Sequence, residues 1–243
     1  METISRENSR EVECDQERRT ADVNCSHCVV RHRMLFADID VEAASPLLKP
    51  IKHLWFSPGD VVYRAGEHAQ ALYSVRRGVI KLSLSSDDGD LRIVRLIGPG
   101  GVIGMEGLVE DFTEHEAEAL TDADLCRLPL PIMRQLAAEQ PVLCKGLMKQ
   151  WQGQLSQADH HLLRLSMGPI RSRVSAMLLE MDALSRKGDV DFRLPSNADI
   201  ASLVAARVET VSRIMAELKR EGALVRDEAG DWVPGQALIS LST

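Results

Sequence analysis

The chain has 243 residues, 44% of them apolar and 27% charged, enough for one large or two modest cores. Its formal net charge of -7 excludes indiscriminate coating of nucleic acid, although a local basic surface remains compatible with it. The opening METISRENSREVECDQERRT carries charge throughout, unlike a secretory signal, and no stretch approaches the ~18 apolar residues of a membrane span. A cytoplasmic protein with no membrane partner is expected.

Residues 1–24 are polar and rich in Glu and Arg, the composition of a mobile tail that cannot offset its ordering entropy. Residues 25–132 are read as one domain. Within it, residues 51–130 form short runs broken by turn signals, including SPGD, VVYRAGE, ALYSVRRG and LRIVRLIGPGG. This pattern predicts a compact antiparallel β-barrel or sandwich. In VIKLSLS, Ile80, Leu82 and Leu84 form the buried face and Val79, Lys81, Ser83 and Ser85 the other, and DDGD supplies the hairpin turn.

After Pro131 the period changes. Leu147, Trp151, Leu155, Ala158, Leu162 and Leu165 recur at spacings of three and four, predicting a long helix over residues 133–168 whose apolar seam packs on its own domain or on an identical helix. Gly168-Pro169 should stop it. Cys144 reads as a small buried apolar residue, and adjacent His160 and His161 as solvated or interfacial rather than metal-binding.

Residues 169–243 read as a smaller helical domain. SNADIASLVAARVETVSRIMAELKREG gives two short helices joined around residues 205–207, with Ser196 as N-cap of the first, followed by a hairpin wing through Ala223-Leu224-Val225 and Trp232-Val233. In the second helix Val208, Val211, Met215 and Leu218 share a packing face, whereas Glu209, Ser212 and Arg213 lie on another. Arg, Glu and Ser are side chains that address base edges in a major groove. A solvated face with an intrahelical Glu209 to Arg213 pair is the competing reading. Arg207, Arg213, Lys219 and Arg220 outnumber Glu209 and Glu217 over residues 201–220, so the helix is basic within an acidic protein. Such a module gathers enough contacts when two copies act together, which favours a homodimer.

SPGD, the AGE after it, LYSVRRGVIK, GPGGVIGME, the long helix and VETVSRIM follow one another in an order that resembles the CRP/FNR family of bacterial transcription regulators along nearly the whole chain. The resemblance implies an α+β fold: an N-terminal antiparallel β-roll like that of cyclic-nucleotide-binding domains, a long dimerisation helix, and a C-terminal winged helix-turn-helix. Glu209, Ser212 and Arg213, flanked by Arg207 and Thr210, resemble the recognition helix of the FNR branch. That similarity implies a palindromic double-stranded DNA site with TTGAT-like half-sites and contact with RNA polymerase from exposed roll loops.

The better-known branch holds cyclic AMP through an Arg-Ser pair and a Glu. Here the corresponding DFTEHEAEAL offers Thr113, Glu114, His115, Glu116 and Glu118, with no Lys or Arg between Met105 and Leu125, which argues against cyclic AMP. The FNR branch instead carries an oxygen-labile 4Fe-4S cluster on three N-terminal cysteines and one in the roll, and cluster binding favours the DNA-competent dimer. Cys25, Cys28 and Cys126 resemble three of those ligands, but Met34 stands where the remaining N-terminal cysteine is expected. The fourth ligand is left to Cys14, His27, His32 or Asp38. Zinc on the same residues, haem on a histidine, a thiol switch or no cofactor are the alternative signals. Another class of function would be a ligand-binding module regulating a partner protein. No Gly-rich phosphate loop, nucleophile elbow or His-Glu zinc-hydrolase spacing points to an enzyme.

Overall fold

The computed structural model describes residues 20–22, 28, 31–33, 35–85, 91–187 and 191–240. Two antiparallel sheets form the N-terminal domain. The first orders its strands β1 (Thr20–Asp22), β2 (Lys52–Phe56), β9 (Ala123–Pro129), β4 (Ala71–Arg77) and β7 (Val102–Ile103). The second orders β3 (Val61–Tyr63), β8 (Glu116–Ala119), β5 (Ile80–Ser85) and β6 (Leu91–Ile97). Alternate residues of both sheets, among them Leu54, Phe56, Val75, Ile80, Leu82 and Leu125, meet in one core, as two inward faces with period two require. The α+β architecture of the chain is the one the sequence implies.

Two details of this domain differ from the sequence reading. Thr20–Asp22, assigned by composition to a mobile tail, pairs with β2 in the register Thr20 with Leu54 and Asp22 with Lys52; the remainder of that tail, and the DDGD turn, lie outside the described residues. On β5, Lys81 and Ser83 are buried while Leu84 is partly exposed. The supposedly wet face of the strand is covered, because Lys81 meets carboxylates of β8 and of the C-terminal domain.

Helix α1 (Val41–Leu48) precedes the roll, and α2 (Leu130–Glu139) and α3 (Pro141–Ser166) follow it. The expected single helix is thus two. Gln140 has φ -126° and ψ 88°, since the ring of Pro141 disfavours the helical region in the residue before it, and Pro141 opens α3 where a missing amide costs nothing. Gly168, at φ +80°, and Pro169 separate α3 from α4 (Ile170–Lys187). Helix α5 (Asn197–Leu203), helix α6 (Val208–Arg220), the hairpin of β10 (Leu224–Arg226) with β11 (Trp232–Pro234), and α7 (Gln236–Ser240) complete the chain. Among the described residues, no helix is long and apolar enough to cross a membrane.

Candidate nucleic-acid interface and cysteine site

Ser196 caps α5 by accepting from Asp199 N at 3.0 Å, and the chain turns between α5 and α6 at Ala205, which takes φ +50°. Val211, Ile214, Met215 and Leu218 of α6 are buried in a core shared with α4, α5 and the wing. Val208 stands out of this set, partly exposed at the first position of the helix; Ile214 takes the packing role. Arg207, Glu209, Ser212 and Arg213 are exposed and Thr210 is half-buried, so the residues named from the sequence share one accessible surface at the start of α6. Among the described residues, no ion pair joins Glu209 to Arg213. In the wing, Trp232 packs beneath two cations, with Lys219 Nζ 4.9 Å and Arg226 Cζ 4.3 Å from its ring centroid. These contacts pin the hairpin to the end of α6.

The apolar stripe of α3 is divided between two roles. Leu147 and Leu165 are 6% and 2% exposed and belong to the protomer's own cores, so they leave the predicted seam. Trp151, Leu155 and Leu162 are 44%, 59% and 63% exposed, Ala158 is half-buried, and Met148 extends the same exposed face. Between Leu147 and Leu165 the side turned inward is polar: Gln150 donates to Gly100 O, Gln154 to Val102 O and Gln157 to Leu96 O, while His161 meets Glu180 of α4. His161 is therefore buried rather than solvated. Cys144 is exposed rather than buried, with its thiol 3.4 Å from Ala137 O.

Inside the roll, the acidic stretch after Met105 has basic partners from elsewhere. Glu116 pairs with Arg64, and Glu118 with Lys81. Arg95 enters from β6, with one guanidinium nitrogen 2.6 Å from His115 Nε2 and another donating to Gln154 Oε1 at 3.1 Å. His115 Nδ1 lies 3.8 Å from Glu106 Oε1. Burial raises the Glu106 pKa, but the His115 ring beside it and a backbone hydrogen bond, with the charge of Arg95 adding to them, bring it below its ordinary value. A cation absent from the local sequence is thus supplied across the sheet, by a residue the spacing gives no means of finding.

Cys126 is buried on β9, opposite His53 of β2 and Ser74 of β4. It packs in a core that also holds Leu35, Phe36 and Ile39, so the segment following Cys28 folds onto the face of the sheet that bears Cys126. Cys28 is half-buried, whereas His32 and Asp38 are exposed. Cys14, Cys25, His27 and Met34 lie outside the described residues, and among the described residues no three His, Cys, Asp or Glu side chains assemble a metal site. His53 does not extend the donor set: its Nδ1 accepts from Arg76 at 2.9 Å, leaving its proton on Nε2. Cys28 and Cys126 offer the donor type that a thiolate-ligated group takes.

A model of the cyclic nucleotide-binding domain matches residues 53–140, and a model of the Crp-like helix-turn-helix domain matches residues 172–232. The chain belongs to the CRP/FNR family. Members of the CRP/FNR family are transcription factors rather than enzymes, and this chain is a DNA-binding regulator of that type. Over 210 residues it is 26% identical to the transcriptional regulatory protein btr of Bordetella pertussis, covering 83% of this chain and 85% of the relative. An anaerobic regulatory protein of Aggregatibacter actinomycetemcomitans is 24% identical over 216 residues, covering 83% and 80%. The structure of FixK2 from Bradyrhizobium japonicum superimposes with a TM-score of 0.66 at 27% identity, covering 79% of this chain and 96% of that one.

Proposed function

We propose that this CRP/FNR regulator acts as a homodimer on a palindrome with TTGAT-like half-sites and responds to oxygen or redox state through a 4Fe-4S cluster. The observation that carries the dimeric reading is the pairing of two uncovered surfaces: the apolar face of α3 at Met148, Trp151, Leu155 and Leu162, and the reading face of α6. An apolar helix face of that size exposed in one chain is suited to a second copy. Dimerisation then presents two recognition helices to two half-sites.

Cys25, Cys28 and Cys126 would hold the cluster, with Cys14, His27, His32 or Asp38 as the fourth ligand. The folding of residues 35–39 onto the face bearing Cys126 and the names of the anaerobic relatives support this reading. The cluster, when bound, supplies an oxygen-labile centre. Exposed Val109 and Phe112 on the roll offer the kind of loop surface that RNA polymerase would contact.

The test is an anaerobic absorption spectrum with iron, sulfide and zinc analysis, repeated for Cys14→Ala and Cys126→Ala, followed by titration of a TTGAT palindrome with and without air. Iron and sulfide lost on exposure to air, together with weaker DNA binding, are expected. Zinc, haem or an absence of metal would sink the cluster reading and leave the DNA-binding dimer with a different signal. Arg213→Ala should cost about 1–3 kcal/mol, concentrated at one base position. A module that instead regulates a partner protein would show no such sequence dependence.

A further inference from the structure

Strand β6 is the outer strand of its sheet, so its outward backbone groups need partners beyond the ladder. They find them in the C-terminal domain. Ser202 Oγ of α5 accepts from Ile93 N at 2.8 Å and donates to Leu91 O at 3.2 Å. One turn earlier, Asp199 divides its carboxylate: Oδ2 accepts from the Ser196 hydroxyl at 2.6 Å, and Oδ1 lies 2.7 Å from Lys81 Nζ. The same Nζ lies 2.8 Å from Glu118 Oε1 of β8.

Lys81 is 8% exposed. Burial lowers its pKa, but the hydrogen bonds it donates to Asp199 and Glu118 outweigh burial and the net displacement is upward, so the ammonium stays charged. Losing one member of such a buried group leaves charge uncompensated. The contact continues in apolar form, since Val79, Ile93, Leu96 and Leu120 of the roll share a core with Ile200 and Leu203 of α5. None of this covers Arg207, Glu209, Ser212 or Arg213, which remain exposed.

We propose that Lys81, Glu118 and Asp199 form a charge latch that holds the C-terminal domain on the roll with its reading face uncovered, pre-organising the protein for DNA without touching it. The proposal rests on the DNA-binding reading of α6. A domain already fixed has less ordering to do when two recognition helices engage two half-sites together. Opening the latch removes no base or phosphate contact, so affinity falls for every sequence alike. A lysine that contacted phosphate would instead reduce the salt slope by about one when removed.

The experiment compares wild type, Lys81→Met, Asp199→Asn and the double variant in the full-length chain. Hydrogen exchange at the Ile93 amide is followed without DNA, and a TTGAT palindrome and a scrambled duplex are titrated at several salt concentrations. Asp199→Asn preserves side-chain shape and keeps the proposal testable if Lys81→Met fails to fold. Each single variant should exchange faster at Ile93 and bind both duplexes roughly five- to tenfold more weakly. The salt slope should be unchanged and the double variant little worse than either single one. Unaltered protection of Ile93 overturns the latch whatever happens with DNA. Faster exchange with unchanged or tighter binding overturns pre-organisation. Wild type that binds neither duplex overturns the DNA-binding reading itself and the pre-organisation built on it, while the exchange data still report whether the domains are latched.

Discussion

His161 Nε2 on α3 lies 2.6 Å from Glu180 Oε1 on α4, and Gln157 donates to the same oxygen at 3.3 Å. The helix bearing the exposed apolar face is thereby tied to the first helix of the C-terminal domain. Burial pushes the Glu180 carboxyl up, but the His161 hydrogen bond and charge, with Gln157 adding to them, hold it below its ordinary value. A depressed carboxylate contributes stability above the ordinary glutamate range and loses it as pH falls through the depressed value. Glu180→Leu should cost about 1–3 kcal/mol at neutral pH by leaving His161 Nε2 without its partner and Gln157 with Leu96 O alone. Urea unfolding at pH 7 and pH 3 checks this: the difference from wild type should narrow in acid, and a constant difference would refute the linkage.

On the proposed dimer, the division of the α3 stripe separates oligomerisation from stability. Leu155→Asp or Trp151→Ala should shift the protein towards monomer in sedimentation velocity with little change in Tm. Leu147→Ala and Leu165→Ala, which empty buried sites, should cost about 2–5 kcal/mol and leave association intact in whatever protein remains folded. Monomers produced by the buried pair alone would contradict this assignment.

Ala205 occupies the left-handed region at φ +50°, a conformation that costs a residue with a Cβ roughly 1–2 kcal/mol. Ala205→Gly relieves that strain while increasing the freedom of the unfolded chain. The expected result is a net gain of up to about 1 kcal/mol and a higher Tm in calorimetry, with DNA selectivity unchanged.

Arg95 is already engaged by His115 Nε2 of the roll and by Gln154 Oε1 of α3. Millimolar cyclic AMP should therefore leave Tm and DNA affinity unchanged, and a rise in either would refute the reading against cyclic nucleotides. Replacing Arg95 by Met should destabilise the contact between the roll and α3, visible as faster exchange at Val102 and Ile103 of β7.

The order of elements and the accessible residues of α6 follow from the sequence because helix and strand periods are local properties. Glu209, Ser212 and Arg213 share a face at any site where α6 is helical, and Ser196 caps α5 through a partner three residues away. Tertiary structure alone decided what covers each face. On α3, Leu147 and Leu165 lie only a small rotation from Trp151 and Leu162 about the helix axis, and spacing does not reveal which of them the roll reaches first. Lys81 looks like a solvent-facing residue on β5 until Asp199, 118 residues away, arrives beside it. Arg95 likewise answers an acidic stretch twenty residues further along. Periodicity assigns side chains to faces, but burial and charge pairing depend on which distant segment folds against them, and long-range packing sets that.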